Sequence, residues 1–294
     1  MHHKIESLWR IGYTLTISDN SILLYSIGRT EEARDIWARA GLREAVARRV
    51  EELPVVFGET LEGKPVISGN EVKGIFRHFI AASLTSKGHK VCVPSTKRHM
   101  VKRREGKREV REYYIPEERL SECRPEEMCF LCRWFGTASY ESPLYFSFLV
   151  CDQSFKEAMS TVVPMIAFDE EFGGTAGEAL AGFIGVKGGT QFKGDVTGIN
   201  LNEVVIGALY DVVKASEKGF IKFGRLRTRG FGRTLLQFTE VEKYSTAPFK
   251  LEFRLEGEDA TKFLEECLKK YSEFAKKPSE PEEVSMKCVE IKGA

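Results

Sequence analysis

"LNEVVIGALYDVVKASEKGFIKFGRLRTRGFGRTLLQFTEV" (residues 201–241) is the stretch whose reading decides the fold. Its first part carries Val204, Val205, Ala208, Leu209, Val212 and Val213 at helical spacing, one apolar stripe on a helix that must bury that face. Its last part, "TLLQFTEV", reads as a strand. Between them "KFGRLRTRGFGR" (residues 222–233) packs five basic residues and three glycines into twelve positions. A helix, a tightly turned basic loop and a strand in succession predict a helix lying on a sheet, with the loop held rigidly at the sheet edge.

Further elements fit around this unit. "IGYTLTISDNSILL" (residues 11–24) alternates apolar and polar residues and reads as a strand or a pair of short strands. "RTEEARDIWARAGLREAVARRVEEL" (residues 29–53) is rich in helix formers, with Leu42, Val46 and Val50 recurring every four residues, and predicts an amphipathic helical insertion. "GKPVISGNEVKGIFRHFIAASL" (residues 63–84) predicts a short strand, a turn near Ser68, Gly69 and Asn70, and a helix with Asn70 as its N-cap. Residues 87–126 are polar, charged and cysteine-bearing, an irregular insertion with one hairpin. "SPLYFSFLVCD" (residues 142–152) is a strand signal, and the glycines of residues 168–200 predict strands with tight turns. After residue 246, "FKLEFRLEG" predicts a strand and "DATKFLEECLKKYSEFAKK" a helix, followed by an acidic, breaker-rich segment. The β-α-β…α-β order predicts an α+β fold, with a ferredoxin-like sheet as the leading candidate. The expected organisation is one domain over residues 1–246, with insertions at about 29–53 and about 87–132, and a strand-helix extension over residues 247–294.

The whole-chain totals exclude several classes. The 44 basic and 43 acidic residues leave a net charge of +1, so the protein is no general polycation, although local basic faces can be balanced by acidic ones elsewhere. Hydrophobic residues at 42% and charged residues at 30% fit a globular chain. No apolar run approaches the roughly 18–20 residues of a membrane span. The start "MHHKIESLWR" lacks the apolar core of a signal peptide, so a cytoplasmic location is expected.

Seven cysteines, an odd number, argue against a disulfide framework. "CRPEEMCFLCRWFG" (residues 123–136) places Cys123, Cys129 and Cys132 within ten positions, and a Cys-x2-Cys pair lets two thiolates reach one tetrahedral zinc from a tight turn. His99 or Cys92, upstream in the same insertion, would complete the set. Such a zinc would be structural, stabilising a polar insertion with little apolar core. The alternatives are cysteines buried around an aromatic strand, or a redox pair, for which the thioredoxin-like setting is missing.

"KRHMVKRREGKREVR" (residues 97–111) is either a solvated surface or a phosphate-contacting arm. In the 222–233 loop, Gly224, Gly230 and Gly232 permit positive φ and close approach. Arg225, Arg227, Arg229 and Arg233 can grip phosphates in bidentate fashion. No nucleotide-binding P-loop or dinucleotide fingerprint occurs, so nucleic acid is the better partner for several spaced arginines.

Four segments together resemble the RAMP superfamily of CRISPR-associated proteins, specifically the RNA-binding backbone subunits of type III-like effector complexes. "GKPVISGNEVKGIFRHFI" is similar to the family's "I-P-G-S-S-L-K-G-x-x-R" turn and helix: Ile67, Gly69, Val72, Lys73, Gly74 and Arg77 match, while Ser68, Asn70 and Glu71 depart. "CFLCRWFG" resembles a cysteine pair running into "L-F-G", "SPLYFSFLVCD" the strand that follows, and "FGRLRTRGFGR" the family's C-terminal glycine-rich loop. The resemblance covers about residues 8–240.

It implies a modified ferredoxin-like (RNA-recognition-motif-like) core with insertions. It also implies CRISPR RNA as ligand, a complementary target RNA, and other effector subunits or copies of the same chain as partners, in antiviral defence. On that model Lys73, Arg77 and His78 present charge from the first helix. Arg225, Arg227, Arg229 and Arg233 do so from the loop around Gly230 and Gly232, and Lys193 in "GGTQFK" adds a contact. Some backbone subunits cut target RNA with an Asp ahead of the glycine turn. Here Glu52 and Leu53 fall near that place and Asp35 lies in the helical insertion, so the catalytic residue is unknown; a binding subunit without cleavage, or one in which a Glu substitutes weakly, is favoured, with cleavage of target RNA by the subunit as an alternative. A metal-independent endoribonuclease that processes CRISPR precursor RNA is the competing enzyme reading, with His78 as its only core-region histidine. A zinc-stabilised interaction protein without an RNA role is the third.

Overall fold

The computed structural model of the chain describes residues 4–24, 58–59, 64–92, 99–105, 108–114, 123, 128–137, 140–160, 163–168, 175–183 and 185–278. The helical insertion expected at 29–53 lies outside them.

In chain order the elements are β1 (Ser7–Ile17), β2 (Gly58–Glu59), β3 (Pro65–Ile67), α1 (Gly69–Ser86), β4 (His99–Glu105), β5 (Arg108–Tyr114) and α2 (Phe130–Phe135). Then come β6 (Leu144–Phe146), β7 (Leu149–Cys151), α3 (Phe155–Ala158), β8 (Val163–Phe168), β9 (Thr175–Phe183), β10 (Gln191–Ile199) and α4 (Glu203–Glu217). A 3-10 turn at Arg227–Arg229, β11 (Thr234–Thr246), β12 (Phe249–Glu256) and α5 (Gly257–Ala275) complete the described chain.

The main sheet runs β12-β11-β1-β10-β7-β3-β2, with β6 also pairing β10, and each pairing is antiparallel. At its centre, β11-β1-β10 followed by β6 and β7 is the fourth-first-third-second strand order of a ferredoxin-like sheet. The helices α1 and α4 are its two crossovers. The fold is therefore α+β with a ferredoxin-like core. β4 with β5, and β8 with β9, form separate two-stranded hairpins.

Strand periodicity explains why the sheet has one dry face. Trp9, Ile11, Tyr13, Leu15 and Ile17 alternate along β1 and are all buried, while Arg10, Thr14 and Thr16 point the other way. Against the dry face lie Val72, Phe76, Ile80 and Leu84 of α1 and Val205, Ile206, Leu209, Val212 and Val213 of α4, all fully or nearly buried. The open face is polar. There Arg10 pairs with Asp195 at 3.3 Å, Glu240 at 3.0 Å and Glu242 at 3.3 Å, and Arg254 pairs with Glu240 at 2.7 Å.

The last strand and helix join the same core. β12 extends the sheet beyond β11, and Leu264, Cys267 and Tyr271 of α5 are buried. Trp9 stacks on Phe263 of α5 at 6.2 Å and meets Phe253 of β12 edge-on at 5.7 Å. The helices α4 and α5 touch at Gly207, where a Cβ would stand 2.1 Å from the Cys267 carbonyl oxygen.

Two local expectations change. The N-cap of α1 is Ser68 rather than Asn70: its side chain accepts from the Glu71 N–H at 3.2 Å, the third residue of a capping turn, leaving Asn70 exposed inside the first turn. The predicted strand at 142–152 is two short strands. It breaks at Ser147 and Phe148, where the Ser147 hydroxyl accepts the Asp195 N–H at 2.8 Å in place of a strand carbonyl.

Gly69 is where α1 meets β6, and a Cβ there would lie 2.1 Å from the Phe146 carbonyl oxygen. Because backbone cannot swing aside as a side-chain tip can, Gly69→Ala should destabilise the fold by about 2–3 kcal/mol, read from the urea midpoint at unchanged slope. A loss below about 0.5 kcal/mol, the usual range of a harmless surface change, would contradict this close approach.

Candidate functional site

The basic loop is built as a rigid platform. Ile221, Phe223 and Phe231 are buried and anchor its two arms, which are joined by the Phe223 N–H donating to the Gly232 carbonyl at 2.8 Å. A second set of bonds ties it to the chain just after β1. The Arg225 N–H donates to Leu24 O at 2.9 Å and the Gly232 N–H to Ile22 O at 2.9 Å. The Ser21 hydroxyl accepts from the Arg233 N–H at 3.0 Å and donates to Gly230 O at 3.2 Å.

The glycines are required by this folding. Gly232 has φ 78° and its missing Cβ would stand 1.8 Å from the Phe223 carbonyl oxygen. Gly224, at φ 75°, would clash with Leu24 O at 2.2 Å. Leu226, at φ 52° and ψ 32°, takes the left-handed conformation without being glycine and leads into the 3-10 turn at Arg227–Arg229. The result exposes Arg225, Arg227, Arg229 and Arg233 on a backbone held from below. Among the described residues none of these four guanidiniums forms an ion pair. Side chains already neutralised by carboxylates would have little to offer a phosphate; these keep their full charge.

The N-terminus of α1 is bonded to this platform through Glu71, whose Oε1 accepts the Gly224 N–H at 2.8 Å. In the sequence Glu71 is only a departure from the family's turn pattern, and nothing local marks its role, because its partner is 153 residues away. Lys73 and Arg77 follow on α1 but are half-buried. Arg77 Nη1 donates to Gly136 O at 3.1 Å, tying α1 to the end of α2. Burial, and then the neighbouring Arg77, hold the Lys73 ammonium below its usual range. His78 is exposed on α1. Lys193 is exposed on β10 opposite Thr14 and Val150, and alternation with the buried Phe192 puts it on the open face of the sheet, away from α1. The structure thus joins the loop to the start of α1 and leaves Lys193 on another surface.

Burial pushes the Glu71 carboxyl above its ordinary value of 4.5, with the Gly224 N–H and Arg227 partly opposing it. A folded pKa above the unfolded one means the folded state binds the proton more tightly. Its favourable contribution is then complete below 4.5 and is lost as pH rises through the raised folded value. Glu71→Gln keeps an acceptor for Gly224 and removes the buried charge. It should match or exceed the parent's stability at pH 7 and show less decline between pH 4.5 and 7, whereas Glu71→Ala should lose about 1–2 kcal/mol. Denaturation midpoints across that range test it; equal loss in both variants would contradict it.

The second constellation is the cysteine cluster. The Sγ atoms of Cys92, Cys123, Cys129 and Cys132 all lie within 4.8 Å of one another, and Cys92 and Cys123 are 3.4 Å apart. Cys92 comes from the segment after α1, Cys129 is the N-cap of α2, and Cys132 is buried on that helix, so the cluster closes the insertion against the core. A tetrahedral zinc with Zn–S bonds of about 2.3 Å needs sulfur–sulfur edges of about 3.8 Å, which these separations bracket.

The electrostatics suit a thiolate site. The Cys132 thiol, hydrogen-bonded to Cys129, pulls the Cys129 pKa down to about 5, with the Cys92 and Cys132 N–H groups helping against burial. The same bond to Cys129, and then burial, push Cys132 up, while burial first and neighbouring sulfurs next push Cys92 up to about 12. Without an ion the four sulfurs share protons; a divalent cation would displace them. Cys92 supplies the fourth sulfur of the group. His99 opens β4, where its partner across the hairpin is Tyr114. The residues around Cys129 and Cys132 form a short helix, not the aromatic strand that a merely buried pair suggested.

No helix among the described residues is long and apolar enough to cross a membrane. A family model described as RAMP superfamily matches residues 9–236, from the start of β1 into β11. No curated protein matches the chain.

Proposed function

The chain belongs to the RAMP superfamily of CRISPR-associated proteins, and on that premise we propose that it is an RNA-binding backbone subunit of a type III-like effector complex, holding CRISPR RNA for pairing with a complementary target. The observation that carries this reading is the loop: four exposed arginines on a backbone pinned to the turn after β1 and to Glu71 of α1. A fixed row of guanidiniums grips successive phosphates without touching base edges, so the bases stay free to pair. His78 would add a contact at the margin of the platform, Lys193 a separate one from the open face of the sheet, and Lys73 and Arg77 a positive field behind the platform. Copies of the chain and other subunits are the proposed neighbours along the RNA.

Zinc is the proposed metal of the cysteine cluster. Four thiolates with no open coordination position make a structural site, and its chemistry is to cross-link the segment after α1 to the start of α2.

The test mixes the purified chain with an RNA bearing a CRISPR repeat and with its complementary target. Salt-sensitive binding that leaves both RNAs intact supports the reading. Cleavage inside the repeat would replace it with the processing endoribonuclease, and absence of binding would remove it.

A further inference from the structure

Beside the arginine platform lies a cleft of about 640 Å³, within the roughly 300–1,000 Å³ that hold small ligands. Four segments form it: the turn after β1, the residues just after α3, the turn before β10, and the tip of the basic loop. Its lining is divided chemically. Ile22, Met159 and Phe231 give apolar surface, Lys187 and Arg229 are exposed cations, and Asp19 brings a carboxylate.

This division matches one nucleotide, and we infer that the cleft takes a single nucleotide of the bound RNA and reads its base as guanine. The inference rests on the RNA-binding reading above and deepens it, since a backbone grip alone carries no sequence preference. The cations suit the phosphate and the apolar wall suits the flat face of a base. Among the described residues, no hydrogen bond or ion pair engages the Asp19 carboxylate. A carboxylate only accepts, and it accepts best from two parallel donors. Guanine alone offers that pair, the ring N1–H beside the exocyclic amino group. Adenine and cytosine set a single amino group next to a ring acceptor that repels the carboxylate, and uracil flanks its one N–H with two carbonyls.

The position of Asp19 is fixed by its neighbours. Gly188 lies so close that a Cβ there would be 2.6 Å from the Asp19 carbonyl oxygen, and the Gly189 Cβ position is 3.3 Å from Asp19 Oδ1. The opposite wall is equally set, because the Ser21 hydroxyl bonds Gly230 O at 3.2 Å.

The experiment titrates the full chain with fluorescent ten-nucleotide RNAs, all uridine or uridine with one central guanosine, and repeats both with Asp19→Asn. The parent protein should bind the guanosine RNA on the order of tenfold more tightly, and Asp19→Asn should bind both with the parent's all-uridine affinity. Equal affinities in the parent, or a guanosine preference that survives in Asp19→Asn, would overturn the inference while leaving the backbone grip standing. Failure of the parent to bind either RNA would sink the RNA-binding reading and the nucleotide site together.

Discussion

Changing Cys129 to serine is expected to strip the protein of zinc and to lower its thermal midpoint by about 10 °C. Zinc held by four thiolates contributes folding free energy directly, on the order of 10 kcal/mol in small isolated domains. At the proposed site it would close only one insertion of a larger core, so a loss of about 3–5 kcal/mol is the appropriate scale, and in a chain of this size that is roughly 10 °C. The direction follows from what the four sulfurs connect. Cys92 follows α1, Cys129 caps α2, and Cys132 sits at 1% exposure against the core, so releasing the metal unties two elements that otherwise meet mainly through side-chain packing. Metal content and calorimetry on the parent, Cys129→Ser, and Cys151→Ser separate the possibilities. Cys151 is buried in β7 outside the cluster and its replacement should keep the zinc. A parent that purifies without metal, or a Cys129→Ser variant that retains it, would contradict the assignment.

The second large effect is expected on the loop. Arg227→Ala with Arg229→Ala should weaken CRISPR RNA binding about 30-fold near physiological salt, while leaving the thermal midpoint within a degree or two. Both side chains are exposed in the 3-10 turn and their removal disturbs none of the bonds that pin the loop, which are made by backbone groups, Ser21 and Glu71. Each charge-assisted contact with a phosphate is worth about 1 kcal/mol net or more, so two removed together give the stated loss. Fluorescence anisotropy with a single-stranded guide measures it, and an unchanged affinity in the double variant would free the loop from its proposed role.

Much of the architecture was legible because the elements that make it are amphipathic. The stripe from Val204 to Val213 is the buried face of α4, and the alternation along 11–17 is the buried side of β1. Both periods are written in the chain and survive folding. What could not be read depends on groups distant in sequence. Glu71 meets Gly224 only because α1 and the loop share one end of the sheet, and Asp19 and Arg229 line one cleft that no local pattern announces. The choice of Ser68 over Asn70 as N-cap turned on a backbone detail, since both residue types cap helices equally well. Between His99 and Cys92 the spacing is silent because both lie far upstream of the Cys-x2-Cys pair; the segment after α1 returns to α2 at Cys92, whose sulfur lies with the other three. Lys193 enters only through the family resemblance of "GGTQFK", and strand alternation turns its side chain to the open face of the sheet, which the resemblance alone does not reveal.

The salt dependence of RNA affinity tests the central claim most directly. If the loop grips phosphates, the logarithm of the binding constant should fall linearly with the logarithm of salt concentration for guides of unrelated sequence. A slope of roughly −3 is predicted from about four phosphates at about −0.7 each, dropping by about 1.4 in the Arg227→Ala, Arg229→Ala variant. A slope near zero, or the same slope in parent and variant, would contradict it.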